Sequence, residues 1–182
     1  ETALISMGGV VALEAVRVGS FDLDVAIQSF IKREFGVAIG ERTAEELKLT
    51  IGSASPYDGE LRAEVRGRHI SSGLPEVVVV SPSEIREAIE EPVSTMVDSV
   101  ISCLSKAPPE MAQDVIVQGI SLVGGGCLLK GFDKRLSEET DVPVHIVSNA
   151  LEAVVLGAGR CIESFESVRA MFMEDPNARR RH

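Results

Sequence analysis

The sequence predicts an α/β fold, a domain of alternating strands and helices that carries a smaller α+β lobe inserted into it. Three observations lead there. After about residue 110, short apolar runs alternate with amphipathic helical spacings, the pattern of a layered α/β domain. Before that point, β-branched runs separated by turn residues read as hairpins. Finally, the apolar run "GISLV" ends in Gly124-Gly125-Gly126 and meets an amphipathic segment at once, a glycine turn between a strand and a helix. With 45% hydrophobic and 25% charged residues over 182 positions, the chain has an ordinary globular composition. A chain of this size removes roughly 70% of its unfolded surface from water, enough for a real core.

The elements follow in order. "TALISMGGVVALEAVRV" predicts two strands joined at Gly8-Gly9. "DLDVAIQSFIKREFGV" places Leu23, Ala26, Ile27, Phe30 and Ile31 on one helical face, and Gly36 ends the helix. "GERTAEELKLTIGSA" predicts a second helix, with Ala44, Leu47 and Ile51 as its buried stripe and Glu45, Glu46 and Lys48 on the more exposed side. "SPYDG" at 55–59 is turn chemistry, and "ELRAEVRG" and "LPEVVVVS" read as strands joined by the polar turn "RHISSG". "SPSEIREAIEEP" opens a helix that Ser81 or Ser83 can cap, with Pro82 in its first turn and Glu84 as the capping partner. Pro92 should kink or restart it. "VSTMVDSVISCLSKA" continues with Met96, Val97, Val100, Ile101 and Leu104 as a core stripe. A short helix in "PPEMAQDVIVQ", the strand "GISLV", a helix in "FDKRLSEET", the strand "VPVHIVS" and a helix in "ALEAVVLGAGRCIES" complete the order. From about residue 165 a polar tail follows.

Charge and composition narrow the function classes. The formal net charge is -10, with one Tyr and no Trp, which argues against a basic, aromatic nucleic-acid surface. The Arg179, Arg180, Arg181 and His182 cluster reads as a solvated tail. Cys103, Cys127 and Cys161 are far apart and set among apolar neighbours, so neither a disulfide framework nor a metal spacing emerges and a reducing compartment is expected. No apolar run reaches the length of a membrane span, and no signal peptide precedes the first strand. Because the chain opens with Glu-Thr-Ala-Leu-Ile inside an apparent strand, it reads as the C-terminal part of something longer.

Two features carry candidate chemistry. Gly124-Gly125-Gly126 has the position of a turn whose bare backbone approaches a ligand. It is not a Walker A loop, since Lys130 precedes a glycine rather than Ser or Thr, and "GGGCLLKG" lacks the dinucleotide-binding spacing. On the "ERTAEELK" helix, Glu45 and Lys48 lie three residues apart and share a face. A carboxylate there could accept from ribose hydroxyls while a lysine stem lies along a base. Both features also have plain structural readings, as a linking turn and as a solvated surface pair. Gly157 and Gly159 suggest close helix packing.

The stretches "GVAIGERTAEELKLTIGSA", "SSGLPEVVVVSPSEIREAIEEPVSTMVDSV", "KAPPEMAQDVIVQGISLVGGGCLLKGFDKRLSEETDVPVHIVS" and "AVVLGAGR" together resemble the MreB family of bacterial actin homologues, in order from residue 1 to about 165. The resemblance implies an actin-like ATPase lobe of ribonuclease H-like type, a mixed sheet flanked by helices with a smaller inserted subdomain. It implies a large subdomain at 1–37 and 115–165, an insertion at 38–114 and a tail at 166–182. The first lobe and both phosphate loops of the family would lie upstream.

By the same resemblance the ligand is ATP or ADP with Mg²⁺. Gly124, Gly125 and Gly126 would approach the sugar and α-phosphate, with Leu128 and Leu129 beside the base. Glu45 would accept from the ribose and Lys48 would flank the base, with Arg42, Thr43 and Ala44 nearby. The stretch "GSFDLD" departs from the family's usual Ala-Gly-Asp-Glu-Met-Asp, with Ser20 at the Gly, Phe21 at the first Asp and Asp24 at the last. Hydrolysis is expected of the parent and not of this lobe alone. Implied partners are further copies in a filament, cell-wall elongation proteins and membrane-bound shape proteins. Nucleic acid is not among them, and membrane contact would come only through the missing lobe, at the cytoplasmic face. A nucleotide-independent scaffold of the same fold is the competing expectation.

Overall fold

In the computed structural model, residues 1–169 are described apart from 60 and 167. The arginine-rich end of the predicted tail lies outside the described residues.

The chain opens with an antiparallel hairpin, β1 (Thr2–Ser6) and β2 (Gly9–Glu14). Its turn is made by Met7 and Gly8, at φ 48° and 78°, one residue earlier than the expected Gly8-Gly9. Two consecutive positive φ values match the right-handed twist of the strands, which is why the register settles there. Helix α1 (Ser20–Phe35) starts three residues before its apolar stripe, which opens at Leu23. Asp22 accepts a hydrogen bond from the Gly19 N–H at 2.7 Å and so closes the helix's first turn. Gly36 ends it in the left-handed conformation, as expected.

Next comes β3 (Val37–Ala38), a two-residue strand too short for any periodicity to mark. Helix α2 (Glu41–Ile51) follows, then β4 (Ala63–His69) and β5 (Pro75–Val80), which complete an antiparallel sheet in the order β3-β4-β5. Helix α3 (Pro82–Ala88) is capped by Ser81, whose hydroxyl accepts from the Glu84 N–H while the Glu84 carboxylate accepts from the Ser81 N–H. Helix α4 (Glu90–Ser105) restarts at once. Pro92 sits in its first turn, where its missing N–H costs nothing, so the break falls at Ile89, three residues before the proline.

Helix α4 buries Val93, Val97, Val100 and Cys103. Met96 and Leu104 pack at the edge of that stripe, but Ile101 is exposed and Cys103 takes the core place expected for it. The remaining elements are α5 (Pro109–Gln118), β6 (Ile120–Leu122), a 3-10 turn (Gly125–Leu128), α6 (Phe132–Thr140), β7 (Val144–Ile146) and α7 (Ala153–Glu163). Strands β6 and β7 pair in parallel across α6, so parallel and antiparallel pairings are divided among small sheets.

One core joins these parts. Leu23, Ile27 and Ile31 of α1 pack with Leu47 and Ile51 of α2, Ile85 of α3, Val97 of α4, Val65 and Val80 of the sheet, and Leu136 of α6. Each such side chain contributes roughly 1.5–3 kcal/mol on burial. Helix α7 buries none of its residues, and a Cβ at Gly157 or Gly159 would meet nothing within 4 Å. The close packing expected of those two glycines is therefore absent among the described residues. No helix among the described residues is long and apolar enough to cross a membrane.

Candidate functional site

The glycine turn and helix α2 meet at a cleft of about 310 Å³. From α2 come Glu45, Lys48 and Leu49, and from the start of α1 come Ser20 and Leu23. The opposite contribution is Gly125, Gly126, Leu128, Leu129 and Lys130, with Leu151 from the segment before α7. Of the residues singled out in the sequence, Glu45, Lys48, Gly125, Gly126, Leu128 and Leu129 are thus brought together. Arg42, Thr43, Ala44 and Gly124 are not in the lining. Arg42 is turned to solvent and paired with Glu46 at 3.2 Å, and Ala44 is buried in the core.

Gly124 is held by shape. Its φ of 85° suits glycine alone, and its N–H donates to the Ala150 carbonyl at 2.7 Å. The buried Cys127 thiol donates back to the Gly124 carbonyl at 2.9 Å. Burial pushes this thiol's pKa up, so it stays a protonated donor. A Cβ at Gly126 would likewise meet no protein atom within 4 Å, and unlike Gly124 this glycine lines the cleft. That is an open cradle facing the cleft, as close approach of a ligand to bare backbone requires.

The structure corrects the reading of Lys48. The helical pattern puts it on the exposed side, yet it is only 7% exposed. Its Nζ lies 2.9 Å from Asp24 Oδ2, 2.9 Å from Ser20 Oγ and 3.2 Å from the Ser20 carbonyl, so each of its three N–H groups has an acceptor on α1. Asp24 is 5% exposed, and its Oδ1, although 2.8 Å from the same Nζ, has no hydrogen bond of proper geometry. What Lys48 offers the cleft is its methylene stem. Glu45, one turn earlier on α2, is exposed, and no hydrogen bond or ion pair holds its carboxylate among the described residues.

The end of α2 is stitched to the segment after the glycine turn. Ser53 and Lys130 form a parallel bridge, the Ala54 N–H donates to the Lys130 carbonyl at 2.8 Å, and the Ser55 hydroxyl donates to the Gly131 carbonyl at 3.2 Å. Lys130 Nζ donates to the Thr50 carbonyl at 2.6 Å and lies 5.0 Å from the centre of the Tyr57 ring. Among the lining residues, sequence reasoning missed Ser20, Leu23, Leu49, Lys130 and Leu151 as site residues. Leu49 was open to discovery, because it stands four residues after Glu45 and shares its face. Lys130 directly follows Leu129 in sequence, whereas Ser20, Leu23 and Leu151 reach the cleft only through packing of distant segments.

Comparison with known proteins bears on this arrangement. A sequence model of the family described as "MreB/Mbl protein" matches residues 1–170. The chain is 41% identical over 166 residues to the cell shape-determining protein MreB of Escherichia coli (strain K12), covering 91% of this chain and 48% of that protein. It is 35% identical over 168 residues to the cell shape-determining protein Mbl of Bacillus subtilis (strain 168), covering 92% and 50%. Among solved structures, MreB5 of Spiroplasma citri bound to ADP matches with a TM-score of 0.85 at 35% identity, over 90% of this chain and 50% of that one. The MamK double helical filament matches with a TM-score of 0.61 at 20% identity, over 75% and 42%, a likeness that speaks to the fold alone. The chain spans about half the length of the curated relatives it matches.

Proposed function

The chain belongs to the MreB/Mbl family, and from that membership we propose that it is the C-terminal lobe of an ATP-binding, filament-forming actin homologue that maintains rod cell shape by organising cell-wall synthesis. The observation that carries the nucleotide reading is the convergence of Glu45 and the Gly125-Gly126 backbone on one cleft. Its volume, about 310 Å³, lies at the lower end of the range for small-molecule sites, as half of a two-lobed cleft should. That the Spiroplasma citri relative was crystallised with ADP and with AMPPNP supports the same reading.

In this reading Glu45, unpaired and exposed, accepts from the ribose hydroxyls. Gly126 lets the sugar and α-phosphate approach the backbone, with Gly124 and Gly125 shaping the turn. Leu128 and Leu129 cover the base on one side and the Lys48 stem on the other, while Arg42, Thr43 and Ala44 form the helix start that holds Glu45. No group of three or more His, Cys, Asp or Glu residues that could hold a metal ion occurs among the described residues. The magnesium that accompanies ATP would be held largely through phosphate oxygens and water. Residues 1–37 and 115–165 make the large subdomain, and 38–114 the inserted one. Filament partners are further copies of the same protein. Cell-wall elongation proteins and membrane-bound shape proteins dock on the filament at the cytoplasmic face.

The test uses the protein at its full encoded length. Replacing Glu45 by Ala should raise the Kd for a fluorescent ADP analogue by roughly tenfold, the loss of about 1.4 kcal/mol expected when a charged acceptor is removed. Pelleting should show filaments that depend on ATP. Filaments and binding indifferent both to nucleotide and to Glu45→Ala would replace this reading with the scaffold.

A further inference from the structure

Helix α2 is held by polar ties at two places. One is its C-terminal end, through Lys130 and the Ser53–Ser55 segment. The other is Lys48, one turn after Glu45, whose ammonium is fully engaged by Asp24 and Ser20 of α1. In the first turn of α2 the Arg42–Glu46 pair lies within the helix itself, exposed, and reaches no other element. The Lys48 tie is therefore the polar anchor nearest to Glu45. It is also a buried ion pair, and such a pair is weak as a source of stability, because an apolar pair of equal volume would serve as well. What it provides that Leu and Met could not is direction: three acceptors at 2.9–3.2 Å pin one nitrogen, and with it the rotation and height of α2 against α1.

Resting on the nucleotide reading above, we infer that Asp24, which does not line the cleft, is a positioning residue for nucleotide binding. Acting through Lys48, it sets the placement of Glu45 relative to the Gly125-Gly126 turn. Ser20 shares the task, since its hydroxyl and carbonyl complete the seat of the lysine. The glycine turn is braced independently by the Cys127 thiol and the Ala150 carbonyl.

The inference is tested by a double-mutant cycle in the full-length protein, with a fluorescent ADP analogue as the probe and the nucleotide-free unfolding midpoint measured alongside. Asp24→Asn, which keeps the shape and removes the charge, should raise Kd about fivefold, equivalent to about 1 kcal/mol. In the Glu45→Ala background the same change should raise Kd less than about twofold, because the group it positions is gone. Asp24→Glu keeps the charge and displaces the lysine seat by one methylene. It should fold even if Asp24→Asn does not, and show the same dependence on Glu45. Equal factors in both backgrounds, or an unchanged Kd with only a lowered midpoint, would make Asp24 purely structural and overturn the inference while leaving the nucleotide site intact. An unchanged Kd for Glu45→Ala itself would overturn the nucleotide reading and this inference with it.

Discussion

At the scale of single residues, Lys48 and Gly131 mark the limits of reading a chain by type and spacing. A lysine beside a polar face reads as solvated, and the pattern of α2 places Lys48 there. Its actual partner, Asp24, is 24 positions away in sequence, and no local rule joins the two. Glu45 was legible because a free carboxylate on a helix face keeps its meaning wherever the helix is placed. Gly131 was not singled out, yet it has φ 71° and a Cβ there would come within 3.0 Å of Ser55. Gly131→Ala should therefore lose about 2 kcal/mol, through left-handed strain and the clash together. In thermal unfolding that is a fall of roughly 4–8 °C in midpoint. An unchanged midpoint would show that the 53–55 and 130–131 stitch gives way without cost.

At the scale of elements, the start of α3 is the clearest case of local chemistry deciding structure. Ser81, Pro82, Ser83 and Glu84 are consecutive, and of the two serines that could cap the helix Ser81 forms the reciprocal cap with Glu84. The hydrogen bonds from the Ser81 hydroxyl and N–H hold the Glu84 carboxyl below its ordinary pKa of 4.5. A depressed carboxylate stabilises the fold above its unfolded pKa. That contribution should fade as pH falls below about 4.5, and be gone once the folded form is protonated too. Ser81→Ala should cost about 1 kcal/mol at pH 7 and less near pH 3, measured by denaturation at both values. An equal loss at both would mean that the charge of Glu84 has no part in the cap. By contrast, the register of α4 escaped sequence reasoning. Ile101 and Cys103 are both apolar enough for the stripe, and what chose between them was the β1–β2 hairpin packed on that helix.

At the scale of the whole molecule, the site is built where distant segments converge: the start of α1, the middle of α2, the turn after β6 and the approach to α7. The chain spans about half the length of its curated relatives, and on the proposed reading its cleft is one part of a nucleotide site completed by further sequence. Saturating ADP should therefore raise the unfolding midpoint of the full-length protein by several degrees. It should raise that of the 182-residue chain much less, since stabilisation follows the ratio of ligand concentration to Kd. Equal shifts would mean that this lobe alone holds the nucleotide. The sequence by itself determined the α/β class, most helices, the Gly36 end of α1, the capped start of α3 and the glycine turn, because each depends on spacing, turn chemistry and residue type within a few positions. The family resemblance already set Glu45 and the glycines around one ligand, but only the tertiary structure decided that Lys48 is buried against Asp24 and that Ser20 and Leu151 join the lining. Those facts depend on which apolar faces pack together, and a one-dimensional pattern names the faces without naming their partners.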